Sequence, residues 1–324
     1  MTRSINALAA RGIVAGTMAL LGIQGSAAPV KRCAFVTSYH KGYEWNDGIE
    51  RGLRRELEGK CEVTQFDMDT KRNPDPAFAV KAAKEIKEKL DALKPDIVIT
   101  SDDNASKYLV VPYYKNQGPN VVFCGVNWSA AEYGFPFTNV TGMIEVHPIE
   151  VMLREVKATV GKVEKVTCIG ADNESEGKNC GRYERNLIAQ GVKVKLSMVK
   201  TQDKWEQAIV AAQDQDYIIF TNNAGIDGWD GERSKAFLEK SNTRLIVSIS
   251  NWMLPWSTLV FAAVPEEQGT YAAKTALAIM SGKHPADFPI VPNSEWDVFV
   301  NASMAKHLNI KVPDHLVRRA AQTM

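Results

Sequence analysis

Short, uninterrupted apolar runs recur along the chain, each followed by a stretch with helical period. Strand-like runs cover 33–37, 63–68, 97–100, 121–124, 163–169, 192–199, 217–221, 245–249 and 259–264. Between them, apolar positions three and four residues apart predict helices over 47–57, 77–93, 149–160, 177–190, 203–212 and 266–281. The period-2 alternation of a half-exposed antiparallel sheet is mostly missing. Strands that are apolar throughout are covered on both faces, so the order predicts α/β architecture with doubly wound parallel sheets.

A weak internal repeat divides this pattern. Asp96-Ile-Val-Ile-Thr-Ser-Asp-Asp-Asn-Ala105 is echoed by Asp216-Tyr-Ile-Ile-Phe-Thr-Asn-Asn-Ala224, and Val36-Thr37 upstream of the first is matched by Val166-Thr167 upstream of the second. Buried parallel strands resemble one another by chance. Together with the doubled βαβα order, however, the echo predicts two similar lobes.

The first residues break the pattern. Arg3 and Arg11, no acidic residue, an apolar run from Ile13 to Ile23 and then Gly25-Ser26-Ala27-Ala28 follow the order of a secretory signal peptide, residues 1–28. Its apolar core is shorter than the ~20 residues of a typical membrane span, which disfavours the alternative of an uncleaved anchor. Cleavage moves the formal charge from +1 to −1 and places the protein in the periplasm. A near-neutral chain without a long basic run is not expected to bind nucleic acid.

In such a compartment some of the five cysteines should pair. Cys33 and Cys61 start predicted strands one and two, which a right-handed βαβ unit makes neighbours, so a disulfide is expected there. Cys168–Cys180 is a second candidate, and buried reduced thiols are the alternative. No CxxC or His-rich spacing points to a metal, and no cofactor is expected.

Polar and aromatic residues gather after the strands, where open α/β sheets place ligands. The candidates for ligand contact are Ser38, Tyr39, His40 and Trp45; Ser101 and Asp102; Asn127 and Trp128; Asn173 and Glu174; Asn222, Asn223 and Asp227; and Asn251 and Trp252. Asp47, Asp103 and Ser106 are expected to cap helices instead. Tyr39, Trp45, Trp128, Trp229 and Trp252, with few cations beyond His40 and Lys41, suit a neutral or zwitterionic solute, with an aromatic or branched amino acid first. The glycine-rich, nucleophile-elbow and HExxH motifs of common enzymes are absent, so no catalytic residue is assigned.

Val36-Thr-Ser-Tyr-His40, Tyr43-Glu-Trp45, Asp67-Met-Asp-Thr-Lys-Arg72, Lys94-Pro-Asp96, Ser101-Asp-Asp-Asn104, Val122-Phe-Cys-Gly-Val-Asn127 and Thr141-Gly-Met-Ile-Glu145 resemble the ABC-transporter substrate-binding protein family of type I periplasmic-binding fold. The resembling variant also serves as the extracellular sensor of some histidine kinases. The resemblance runs from about residue 31 to about 318, including the tail from Asn301 to Pro313. It implies two lobes joined by a three-stranded hinge, with crossings near 145–148, 251–258 and 285–293. The lobes would then be 29–145 plus about 256–290, and 146–255 plus about 291–324. It also implies capture of a small-molecule solute between the lobes by a monomer that docks on a membrane permease. A periplasmic sensor that docks on a signalling receptor is the alternative. No kinase, cyclase or membrane segment follows residue 318, which favours the transporter component.

Overall fold

The computed structural model describes residues 30–324. The expected signal peptide lies outside them. Chain order begins with β1 (Lys31–Thr37), α1 (Glu44–Leu57), β2 (Cys61–Asp67), α2 (Pro76–Leu93), β3 (Ile97–Ser101) and α3 (Asp102–Ala105). A π-helical turn (Ser106–Val110) runs into α4 (Val111–Tyr114), followed by β4 (Val121–Asn127), a 3-10 turn (Ala130–Tyr133) and β5 (Val140–Glu145). The second half repeats the plan with α5 (Ile149–Val160), β6 (Lys165–Ala171), α6 (Glu174–Ala189), β7 (Lys193–Val199), α7 (Gln202–Ala211), β8 (Tyr217–Phe220), α8 (Gly231–Ser241), β9 (Leu245–Ser248), a 3-10 turn (Asn251–Trp256) and β10 (Leu259–Ala263). The chain ends with α9 (Pro265–Met280), a 3-10 turn (Pro285–Asp287), β11 (Val291–Pro292), β12 (Trp296–Val300), α10 (Ala302–His307), α11 (Asp314–Arg319) and β13 (Gln322–Thr323).

Two sheets result, ordered β11-β5-β4-β3-β1-β2 and β13-β12-β10-β9-β8-β6-β7. Five strands of each follow the same winding, β2-β1-β3-β4-β5 and β7-β6-β8-β9-β10, all parallel. The repeat seen in the sequence is therefore structural. Asp96 accepts the Arg32 backbone N–H at 2.8 Å, and Asp216 accepts those of Glu164 and Lys165 at 2.6 and 2.9 Å. Each aspartate ties the start of its third strand to the start of its first.

Local rules explain the elements. β3 is buried along its whole length, as a central strand covered on both faces must be. Edge strands β2 and β7 are only partly buried. Helix α2 starts on Asp75, which accepts the Ala77 N–H, with Pro76 in the first turn, and closes on Lys94 in the left-handed region. Its buried Ala79, Ala83, Ile86 and Leu90 form one stripe at helical spacing.

The structure differs from the sequence reading in particular places. The second crossing is not at 251–258. Those residues lie in and just beyond a 3-10 turn held to the second lobe, with the Trp256 indole N–H donating to the Gly231 carbonyl at 3.0 Å. β10 pairs with β9, so residues 259–263 belong to the second sheet, and the chain returns to the first lobe at 263–265. It leaves again after β11, which pairs with β5, at 292–296. The second sheet is also not purely parallel, because β12 runs antiparallel to β10.

Helix α9 packs against α1 through glycines. A Cβ on Gly52 would overlap the Glu266 carbonyl, and one on Gly269 the Ile49 carbonyl. Both proposed disulfides are present, Cys33–Cys61 and Cys168–Cys180, with Cα separations of 6.0 and 5.8 Å. Cys124 is free and buried.

Candidate functional site

The carboxyl ends of the two sheets face each other across a cavity of about 500 Å3, open mouth included. Its walls come from both lobes, and the chemistry is read most easily strand by strand.

The loop after β1 and the start of α1 supply Tyr39, Tyr43 and Trp45. Tyr43 sits edge-on to Tyr39 (ring centroids 5.3 Å) and to Trp252 of the other lobe (5.4 Å). After β2 comes Lys71, whose ammonium lies 5.0 Å from the Tyr39 ring and 5.3 Å from the Tyr43 ring. After β3 comes Asp102, fully buried, with a backbone φ of 70° that few residues other than glycine adopt. Its Oδ1 accepts the Trp45 indole N–H at 2.8 Å. Asn127 closes this side from the end of β4, and Glu145 and His147 line the first crossing, joined Oε1 to Nε2 at 3.0 Å.

The second lobe answers with the first turns of α6, which place Ser175, Glu176 and Asn179 in the wall, and with Asn222 after β8 and Asn251 and Trp252 after β9. Several of these reach across. The Tyr39 and Ser175 hydroxyls are 3.0 Å apart, Lys71 pairs with Glu176 at 3.3 Å, and Asn222 Nδ2 donates to the Tyr43 hydroxyl at 2.9 Å. Outside the cavity Lys178 donates to Asp103 at 3.0 Å and to the Tyr133 hydroxyl at 2.7 Å, and pairs with Glu132 at 3.1 Å.

Burial sets the protonation behaviour. It pushes the Tyr43 phenol up to about 12, partly opposed by Lys71. It also raises the Asp102 carboxyl well above the ordinary carboxylate range, with Glu145 adding to the shift and the Trp45 hydrogen bond opposing it. For Lys71 burial acts downward, but Tyr43 and Glu176 outweigh it and hold the ammonium above its usual value.

Of the residues expected from sequence, Tyr39, Trp45, Asp102, Asn127, Asn222, Asn251 and Trp252 meet in the cavity. The others do not line it. Ser38 donates to the Ser101 carbonyl at 2.7 Å and accepts the Ala105 N–H at 2.8 Å, so it braces β1 against β3, and Ser101 is buried beside it. His40 contacts the Lys41 carbonyl at 3.0 Å. Trp128, at φ 64°, turns its indole to Asn179 and packs on His147 and Tyr183. Asn173 caps α6, and Glu174 pairs with Lys107 at 2.9 Å; both line a smaller neighbouring cavity of about 430 Å3. Asn223 lies off the wall, and Asp227 accompanies Thr201 in an isolated bridge. Trp229 packs into the second lobe between Trp205 and Trp256.

The expected caps differ too. Asp103 binds Asn127, Tyr133 and Lys178 instead of a helix end, Asp47 accepts the Gly42 N–H from within α1, and the buried Ser106 hydroxyl makes no hydrogen bond. Sequence reading missed Tyr43, Lys71, Glu145, His147, Ser175, Glu176 and Asn179 as wall residues. Tyr43, Lys71 and Glu145 all stand inside the motifs that carried the resemblance. Among the described residues no cluster of metal-ligating side chains occurs and no helix is long and apolar enough to cross a membrane.

Comparison with known proteins bears on the fold and the family. No match is found among curated proteins. The structure is similar to an ABC domain from Streptococcus pneumonia solved in complex with L-Trp (TM-score 0.71, 17% identity, covering 90% of this chain and 100% of that one). It is similar to a conserved domain protein from Vibrio cholerae (TM-score 0.71, 16% identity, 91% and 100% covered). It also resembles an ABC transporter solute-binding protein from Agrobacterium vitis bound with alpha-D-tagatopyranose (TM-score 0.62, 13% identity, 90% and 99% covered). These likenesses establish the type I periplasmic-binding fold. Residues 35–324 match the family described as ABC transporter substrate binding protein, and the chain belongs to that family.

Proposed function

We propose that the protein captures a small polar solute in the cavity between its lobes and presents it, in the periplasm, to the permease of an ABC importer. The observation that carries this reading is a cavity whose wall is shared by both lobes, with aromatic rings and polar groups interleaved. A ligand that touches both walls binds the closed form better than the open one and shifts the population toward it. A membrane partner that recognises closed lobes then distinguishes loaded from empty protein. The rings of Tyr39, Tyr43, Trp45 and Trp252 favour a solute with a flat or branched apolar part, and an amino acid fits that description first.

Tyr43→Ala and Asn222→Ala each remove one member of a contact made across the cleft. Each is expected to weaken solute binding about tenfold, roughly 1.4 kcal/mol. Asp227→Ala, off the wall, should leave affinity unchanged. Calorimetric titration with the solute recovered from native protein measures all three, and equal affinities throughout would place the site elsewhere.

Lys178 acts from outside the cavity. Its removal leaves the wall intact but takes three interlobe contacts from the closed form, so Lys178→Ala should raise the apparent Kd about three- to tenfold by lowering the competent fraction. Small-angle scattering should show a larger open population. An unchanged Kd with an unchanged scattering profile would remove Lys178 from the closing mechanism.

A further inference from the structure

Most buried polar side chains of the cavity wall are satisfied, and those that are not share one character. Two residues of the wall carry a buried side-chain oxygen or nitrogen without a hydrogen-bond partner, Asp102 at Oδ2 and Glu176 at Oε2. Both atoms are carboxyl oxygens. No wall residue has a buried side-chain donor left over. A buried acceptor without a donor is costly, and native structures keep such atoms where something else satisfies them.

The Asp102 carboxyl is also deliberately housed. Trp45 fixes Oδ1, and Gly125 lies so close that a Cβ there would come within 2.9 Å of that oxygen. The wall holds three acidic side chains, Asp102, Glu145 and Glu176, against one lysine and one histidine. The lysine, Lys71, is already paired with Glu176 and stacked on two tyrosines. A hydroxyl could satisfy a free oxygen, but only a cation stabilises the ionised form of Asp102, the one acid of the three without a basic side chain bonded to it.

We infer that the solute carries a protonated amine, that Asp102 releases its proton to solvent as the amine enters and then accepts from it at Oδ2, and that this ammonium is the feature the site requires, whereas a carboxylate on the solute is dispensable. The inference rests on the interlobe cavity being the solute site. It narrows the solute to primary amines, amino acids among them, and sets sugars and simple carboxylic acids aside.

The carboxyl's own titration gives an independent readout. Native Asp102 holds its proton to higher pH than the unfolded chain does, so its contribution to stability falls as pH rises between the two values. An amide does not titrate and lacks that decline. Asp102→Asn is therefore expected to lose amine binding while its empty form is at least as heat-stable as wild type at neutral pH. A purely structural aspartate would give the reverse.

The test is a thermal-shift and titration panel on the processed full-length protein. It pairs L-tryptophan and L-leucine with tryptamine and isoamylamine, with indole-3-propionate and 4-methylpentanoate, and with D-ribose. Amine-bearing members should raise the Tm of wild type, and the deaminated acids and ribose should not. Asp102→Asn should weaken the responding amines by about tenfold or more. The wild-type panel decides even if that variant does not fold. Absence of a shift with every amine, or a shift with ribose or a deaminated acid that persists in Asp102→Asn, overturns the inference. If Tyr43→Ala and Asn222→Ala abolish that persistent binding, the cleft stands and only the amine requirement falls. A solute indifferent to all three substitutions removes both.

Discussion

Replacing Cys33 and Cys61 together by alanine is expected to lower the unfolding free energy of the oxidised protein by about 3.6 kcal/mol. The loss comes mainly through the unfolded chain, where the bond holds together residues 28 apart in sequence. The native contribution is small by comparison. Cys33 is fully buried and Cys61 nearly so, at the amino ends of β1 and β2 and opposite the cavity, so alanine leaves little polar group unpaired and does not touch the solute site. Breaking Cys168–Cys180, with a separation of 12, should cost less, about 2.9 kcal/mol. Urea unfolding under non-reducing conditions measures both. A change below about 1 kcal/mol for the first pair would mean that the unfolded chain is not expanded enough for the cross-link to matter.

Gly269→Val is expected to destabilise by about 3 kcal/mol, at the upper end for an overpacked core. At this glycine the added carbon would meet the backbone carbonyl of Ile49, and backbone cannot rotate aside as a side chain can. The contact also carries topology. α9 belongs to the first lobe only through its packing on α1 and the first sheet, after the chain has already laid down five of the seven strands of the second sheet. Spreading α1 from α9 would loosen two of the three crossings at once. Gly181→Ala on α6 is the control, since the nearest atom is the mobile end of Arg185 at 3.5 Å, and it should stabilise by up to about 1 kcal/mol. Equal stabilities of wild type and Gly269→Val would show that the helices can part without cost.

Much of the fold was legible because buried parallel strands announce themselves. β3 and β8 open on unbroken apolar runs, Ile97 to Ile99 and Tyr217 to Phe220, and the Asp96 and Asp216 echo marks the same backbone tie in each lobe. β12 escaped notice because Trp296 to Val300 sits on an outer, antiparallel position where burial alternates, and Asp297 leaves an apolar run of only three residues, Val298 to Val300. The second crossing, placed at 251–258 by the resemblance, lies further along the chain because Trp256 is packed into the second lobe.

The site was half legible for a related reason. Strand ends identify loops, and that was enough for Tyr39, Trp45, Asp102, Asn127, Asn222 and Trp252. It could not tell which way a side chain turns. The left-handed backbone at Trp128 swings its ring toward Tyr183, a rotation that no pattern of residue types encodes. Nor did it reveal Lys71 or Glu176. A lysine after an edge strand and a glutamate in the first turn of a helix are ordinary surface choices until the two lobes meet and bury both.

The bond between Cys168 and Cys180 joins β6 to α6. The first turns of that helix hold the residues that grip the opposite lobe, Ser175, Glu176 and Lys178. A pull on any of them is delivered covalently to the sheet, and the helix cannot creep along its strand to relieve the load. The second lobe therefore behaves as a stiff lever. In the closure proposed above, work done at the solute is expected to appear as rotation at the three crossings instead of fraying at the point of contact.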